Sequence, residues 1–191
     1  MHFPAGRAVL DTCVLYPAMI RDTLLSLAEA ELYQPVWSDQ ILQELIDNLN
    51  DRKPPPNVAR LLDQMAVTFD DSCLDGYQHL VPEMTCDKKD RHVLALAVHV
   101  QAETLVTSNL DDFPAASVDP FQVSVLSPDD FALDLFSIAP AVVTGALREQ
   151  AARYGRPPRT LVELVQSLKH PQKLPRFAVE VCRYLGRVGG Y

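Results

Sequence analysis

The segment Asp87-Lys-Lys-Asp-Arg-His-Val-Leu-Ala-Leu-Ala-Val-His-Val100 opens on charged residues and then turns apolar on nearly every side of a helical wheel. A helix of that kind must be covered all round, so it belongs in the middle of a layered domain. Short strand-like runs lie on both sides of it, at residues 7–10, 34–37, 103–107 and 121–126. Helical patterns fill the intervals. Residues 17–32 open on a proline, and residues 38–49 follow Ser38 as N-cap. Residues 58–67 follow the break Lys53-Pro-Pro-Pro-Asn57, and residues 72–80 are expected to form another helix. Strands alternating with helices predict a parallel α/β sheet. Ser127-Pro-Asp-Asp130 then starts a helix with an N-cap, a proline at the first position and acids in the first turn. After Ala139 only helices are predicted, over 139–154, 160–168 and 174–185. The expected organisation is a sheet domain over residues 1–138 and an all-helical extension over 139–191.

Charge divides along the same line. Of the 17 Lys and Arg residues, 9 follow residue 140, against 3 of the 25 acids, so the tail carries +6 within a chain of net charge −8. The remainder, at −14, is unsuited to a phosphate polymer unless cations neutralise a cluster of its carboxylates. No apolar run approaches the ~18 residues of a membrane span, and the amino terminus lacks the basic and apolar stretches of a signal peptide. A cytoplasmic protein is expected. Cys13, Cys73, Cys86 and Cys182 lie far apart, which argues against a zinc ribbon or a disulfide framework and predicts buried, reduced thiols.

Ligands of an open parallel sheet bind outside the carboxyl ends of its strands, which singles out the acids there. Asp11 follows the first strand, where the alternative is a turn or a helix cap. Asp90 lies in the first turn of the buried helix, with Asp87 competing for the same place. On the wheel of the 38–49 helix, Ile41, Leu42, Leu45, Ile46 and Leu49 share one face. Glu44 falls near its margin, whereas Asp39 and Asp47 point to solvent. Thr107-Ser108-Asn109-Leu110-Asp111-Asp112 follows the third strand and offers hydroxyls, an amide and two acids. Carboxylates without His or Cys at metal spacing suit Mg²⁺ or Mn²⁺ rather than zinc. His79, His92, His99 and His170 are read as structural or surface residues.

These motifs, in this order, resemble the PIN domain. Val-Leu-Asp-Thr-Cys-Val-Leu is similar to that family's opening L-D-T-N-V-L. Val-Thr-Ser-Asn-Leu-Asp-Asp-Phe-Pro is similar to the V-T-x-N-x-x-D-F-P stretch of a VapC-like branch, whose helical carboxyl-terminal region the basic tail also resembles. The resemblance implies a metal-dependent endoribonuclease in which Asp11, Glu44, Asp90 and Asp112 (or Asp111) hold Mg²⁺ or Mn²⁺. Thr12, Ser108 and Asn109 would support them, and an activated water would attack the RNA phosphorus without needing the 2′-hydroxyl. It further implies the toxin of a toxin-antitoxin pair, with RNA as substrate and tRNA among the candidates. A cognate antitoxin with a helix-turn-helix DNA-binding segment and a homodimer complete the expectation. Cys13 departs from the pattern, because the family's Asn would supply an amide there.

Two rivals share parts of the pattern. A haloacid-dehalogenase-type phosphatase needs a second acid two residues after the first, where this chain has Cys13. A catalytically inactive PIN-fold module that binds RNA or protein would tolerate the Cys13 departure. The charge split adds a further expectation, that Arg153, Arg156 and Arg159 contact RNA phosphates.

Overall fold

The computed structural model describes residues 6–50 and 55–189. Four short strands form one wholly parallel sheet: β1 (Arg7–Leu10), β2 (Gln34–Val36), β3 (Thr104–Val106) and β4 (Ser124–Leu126), in the order β2-β1-β3-β4. The two central strands are buried apart from exposed Arg7 at the start of β1, and apolar apart from Arg7 and Thr104, as the continuous Ala8-Val9-Leu10 and Leu105-Val106 runs require of a sheet covered on both faces.

Ten helices accompany the sheet among the described residues. Following β1 come α1 (Thr12–Leu15) and α2 (Ala18–Glu29); following β2 come α3 (Asp39–Asn50) and α4 (Pro55–Thr68). The proline break falls partly on residues 51–54, outside the described residues; Pro55 begins α4. The predicted all-apolar helix is α5 (Arg91–His99), packed on β1 and β3. Its Val93, Leu94, Ala95, Leu96 and Ala97 are wholly buried, and each leucine there stabilises the fold by about 2 kcal/mol.

Two expectations are corrected. Residues 72–80 do not form a helix. Cys73 instead bridges in parallel to Trp37, with Trp37 N–H donating to the Ser72 carbonyl (3.0 Å) and Leu74 N–H to the Trp37 carbonyl (2.9 Å). Gly76, at φ +91°, then turns the chain into a 3₁₀ segment at Gln78–Glu83. The fourth strand is shorter than expected, because Asp119–Phe121 is a 3₁₀ turn and Gln122 is left-handed at φ 58°.

Beyond β4 the chain is helical: α6 (Ala115–Val118) precedes β4, and α7 (Pro128–Ile138), α8 (Pro140–Arg153), α9 (Leu161–Leu168) and α10 (Pro175–Arg187) follow it. These helices pack on the sheet domain through specific contacts. Gln150 Nε2 donates to Thr23 Oγ1 (3.2 Å) and Tyr154 Oη to Asp22 (3.2 Å). The Arg153 guanidinium is shared between Glu29 and Ser26 Oγ. Phe136 of α7 meets Phe177 and Tyr184 of α10 edge to face at 6.0 and 5.7 Å. Asp129, on α7, accepts from the backbone N–H of Arg176 (3.0 Å) and of Phe177 (2.9 Å), and thereby caps α10 from another helix.

Candidate metal centre

Parallel pairing carries the chain past the strand ends in register. Asp11 N–H donates to the Val106 carbonyl (3.1 Å), and Thr107 N–H donates to the Leu126 carbonyl (3.0 Å). Asp11 and Thr107 therefore stand side by side at the carboxyl edge of the two central strands, where the Thr107 hydroxyl, fully buried, donates to Asp11 Oδ2 at 2.7 Å.

Both Asp11 and Asp90 occupy N-cap positions, of α1 and α5, yet neither side chain caps its helix. The capping alternative for these acids thus does not describe what their carboxylates do. Asp11 is 4% exposed and Asp90 8%. Asp90 Oδ2 is buried without a hydrogen-bond partner, a costly state for a carboxylate unless a cation or proton meets it. The Asp90 carboxyl is lifted to about 6, by burial first and by the neighbouring Asp11 and Asp112 carboxylates, against the pull of Lys89 downward. Asp87 is not the equivalent group: it is exposed, and its Oδ1 accepts from Lys89 N–H (3.1 Å) in a local turn.

Glu44 lies where the wheel places it, half-buried on α3, with Asp39 and Asp47 exposed. Thr12 Oγ1 donates to Glu44 Oε2 (2.8 Å) and lies 3.2 Å from the Ile41 carbonyl. Thr12 is thus the hinge pin between α1 and α3. Of the last two acids, Asp111 is exposed, whereas Asp112 is half-buried and pairs with Lys89 Nζ at 2.9 Å; the same ammonium lies 3.7 Å from Asp90 Oδ2. Ser108 and Asn109 act through their backbones: Ser108 N–H donates to Cys13 Sγ (3.1 Å) and Asn109 N–H to Thr107 Oγ1 (3.1 Å). Residues Ser108 to Asp112 line an open hollow of about 390 Å³.

Two residues, His92 and Lys89, join the cluster that sequence reasoning did not place there. His92 takes the structural of its two expected roles, being buried: its Nδ1 donates to the Lys89 carbonyl (2.9 Å), and its Nε2 lies 3.3 Å from Glu44 Oε1 without hydrogen-bond alignment. Lys89 links Asp90 to Asp112, while Thr107, expected among the hydroxyls after the third strand, supports Asp11. Cys13 also departs from the expectation of a plain buried thiol, since its Sγ sits 3.1 Å from Asp11 Oδ2 and 3.3 Å from Thr107 Oγ1. Burial, then Asp11, pushes this thiol up to about 11. Cys73 is exposed, so among the four cysteines only Cys86 is fully buried. In the tail, Arg153 is held by Glu29 and Ser26, Arg156 borders an opening beside Ala18 and Met19 at the start of α2, and Arg159 N–H donates to Glu163 (2.7 Å).

Among the described residues no three His, Cys, Asp or Glu side chains converge as tightly as direct coordination requires. The acids are held in pairs, through Thr12, Thr107 and Lys89. Oxygen-only donors, one of them unpartnered, suit a hard divalent ion that keeps several waters and takes one or two carboxylates directly.

An acid cluster at the carboxyl edge of a four-stranded parallel sheet, with a buried helix behind it, defines the class; sequence comparison supplies the family. The PIN domain family model matches residues 7–111, and the chain belongs to that family. A second model, the VapC50 C-terminal domain, matches residues 128–183, beginning at α7. The chain is also 37% identical over 108 residues to a protein of Mycobacterium tuberculosis named "Putative ribonuclease VapC50", a match covering 56% of this chain and 63% of that protein. No solved structure matches. Among the described residues no helix is long and apolar enough to cross a membrane.

Proposed function

We propose that this chain is a metal-dependent endoribonuclease of the VapC type, hydrolysing RNA phosphodiester bonds at the carboxyl edge of its sheet. The observation that carries the reading is the pair Asp11 and Asp90, two buried acids at helix starts whose carboxylates cap nothing, one with an unpartnered oxygen. The names of the matched relative and of the second family model point the same way.

Asp11, Glu44, Asp90 and Asp112 would hold Mg²⁺ or Mn²⁺. Such an ion supplies Lewis-acid stabilisation of the phosphate and lowers the pKa of a water. Thr107 holds the Asp11 carboxylate and Thr12 the Glu44 carboxylate, each through one oxygen, which leaves lone pairs on both acids for the ion or its waters. Cys13 keeps its proton below about pH 11, so it occupies the place of the family's amide as a neutral contact to Asp11. The open hollow at Ser108 to Asp112 gives a bulky polymer access.

The wider reading is that of a cytoplasmic toxin that acts on RNA, tRNA included. A cognate antitoxin with a helix-turn-helix DNA-binding segment would neutralise it, and the working form would be a homodimer. Arg156 and Arg159 are the tail cations proposed to meet RNA phosphates, with Arg153 anchoring the extension on α2 and joining them when its pair with Glu29 exchanges.

The test is RNA cleavage with added Mg²⁺ by the wild-type chain and by Asp11→Asn. Loss on the order of 100-fold or more is expected when a ligand is removed. Equal cleavage by both proteins leaves the catalytically inactive binding module as the surviving reading.

A further inference from the structure

Lys89 holds an unusual place for a lysine. Its side chain is 61% exposed, yet its ammonium lies 2.9 Å from Asp112 Oδ2 and 3.7 Å from Asp90 Oδ2. The backbone beneath is pinned on both sides: Lys89 N–H donates to Asp87 Oδ1 (3.1 Å), and the Lys89 carbonyl accepts from His92 Nδ1 (2.9 Å). The stem therefore starts from a fixed point at the mouth of the site. Its short reach to both acids follows from the turn that joins residues 87–90, in which Asp90 N–H donates to the Asp87 carbonyl (3.0 Å). Asp112 is brought alongside by Asp87 N–H, which donates to the Asp112 carbonyl (3.0 Å).

Two carboxylates in a partly buried site are both ionised only where a cation meets them. Paired divalent ions in hydrolytic sites lie about 3.5–4 Å apart, and the Lys89 ammonium, within 4 Å of both carboxylates, stands where a second ion would draw on both. We propose that Lys89 is a tethered cation filling the position between Asp90 and Asp112, so that this chain takes a single divalent ion where the acids alone would accept two. The proposal rests on the metal-dependent reading above. An ammonium has three donors, and the pair with Asp112 uses one of them, so the others remain for solvent or for a phosphate oxygen. The Lys89 side chain is mostly exposed, so its ammonium faces solvent as well as the two acids. Lys89 thus supplies positive charge beside the reacting phosphate without closing the acids to substrate.

Mn²⁺ binding tests this directly, read from the loss of the free-ion electron paramagnetic resonance signal on titration of the full chain. Wild type should bind a single ion, Lys89→Met should bind a second, and Lys89→Arg, which keeps the charge, should behave as wild type. Thermal unfolding of each variant checks that the exposed substitution leaves the fold intact. A wild type that binds two ions, or a Lys89→Met variant that still binds one, overturns the tethered-cation proposal while leaving the metal-dependent reading in place. Absence of Mn²⁺ binding in every protein overturns that reading and this proposal with it.

Discussion

Asp90→Asn should make the metal-free protein more stable while removing its function. The Asp90 carboxyl rises from 3.8 to about 6 because burial, and then the Asp11 and Asp112 carboxylates, oppose its ionisation more than Lys89 favours it. A folded-state pKa above the unfolded one means the native protein holds this proton more tightly. The penalty is therefore absent below about pH 4, grows between about pH 4 and 6, and is complete above that. At ~1.36 kcal/mol per pKa unit the shift corresponds to about 3 kcal/mol. The Asp90 side chain is 11% exposed and faces a lysine that is mostly in solvent, so screening brings the net figure to roughly 1–2 kcal/mol. Asparagine has nearly the same shape and cannot ionise. In EDTA at about pH 7.5 the variant should melt roughly 2–8 °C higher than wild type, and at about pH 5 the gain should fall to about half of that. Scanning calorimetry reads both. Added Mn²⁺ should then raise the melting temperature of wild type and leave the variant unmoved. A variant that melts below wild type at the higher pH, or one whose gain is the same at both, refutes the reasoning.

Three further outcomes are expected. Asp129→Ala strips two carboxylate-to-backbone hydrogen bonds from the start of α10; at a combined cost of about 3 kcal/mol, it should lower the melting temperature by roughly 6–12 °C, and a fall of under a degree would show that α10 does not depend on this cap. With its thiol pushed up to about 11, Cys13 should react with iodoacetamide at neutral pH on the order of 100-fold more slowly than an ordinary thiol, which peptide mass spectrometry of the labelled protein can resolve; rapid labelling would contradict the raised pKa. Charge reversal of Arg156 and Arg159 should flatten the salt dependence of RNA affinity, and an unchanged slope in fluorescence anisotropy removes the tail from the RNA interface.

Much of the candidate site's placement was legible because it depends on local pattern. Asp11 ends an apolar strand, Asp90 opens a helix apolar on nearly every side, and Glu44 sits at the margin of an amphipathic face; each position follows from periods of two or 3.6 residues. The misreadings share a different cause. Residues 72–80 have the composition of a helix, but their conformation is set by pairing with Trp37 in a distant segment and by the left-handed turn at Gly76. His92 lies in an apolar run, where spacing says core; only the fold brings Glu44 within 3.3 Å of it. Lys89 sits in a charged run that reads as a solvated face, and its partner Asp112 is 23 residues away. The guanidinium of Arg153 looks available to RNA until α8 docks it on Glu29, 124 residues earlier in the chain. The difference between Asp112 and Asp111 depends in the same way on a 3₁₀ turn that leaves one acid half-buried and its neighbour exposed.

Helix starts provide the contrast that separates the structural acids from the candidate functional ones. Ser127 accepts from Asp130 N–H at the start of α7, and Thr160 with Glu163 closes a capping box on α9. Asp129 does the same service for α10 from a neighbouring helix. In each case a short polar side chain meets the orphan N–H groups that every helix presents. Asp11 and Asp90 stand at equivalent positions, with the residue type best suited to cap, and do not cap. Their helices forgo a contribution of about 1 kcal/mol apiece, and the carboxylates are turned instead toward Thr107 in one case and toward Lys89 and Asp112 in the other. A local rule broken twice at one edge of one sheet by the residue type best suited to keep it, while Ser127, Thr160 and Asp129 keep it at α7, α9 and α10, is what the proposed metal site requires of Asp11 and Asp90.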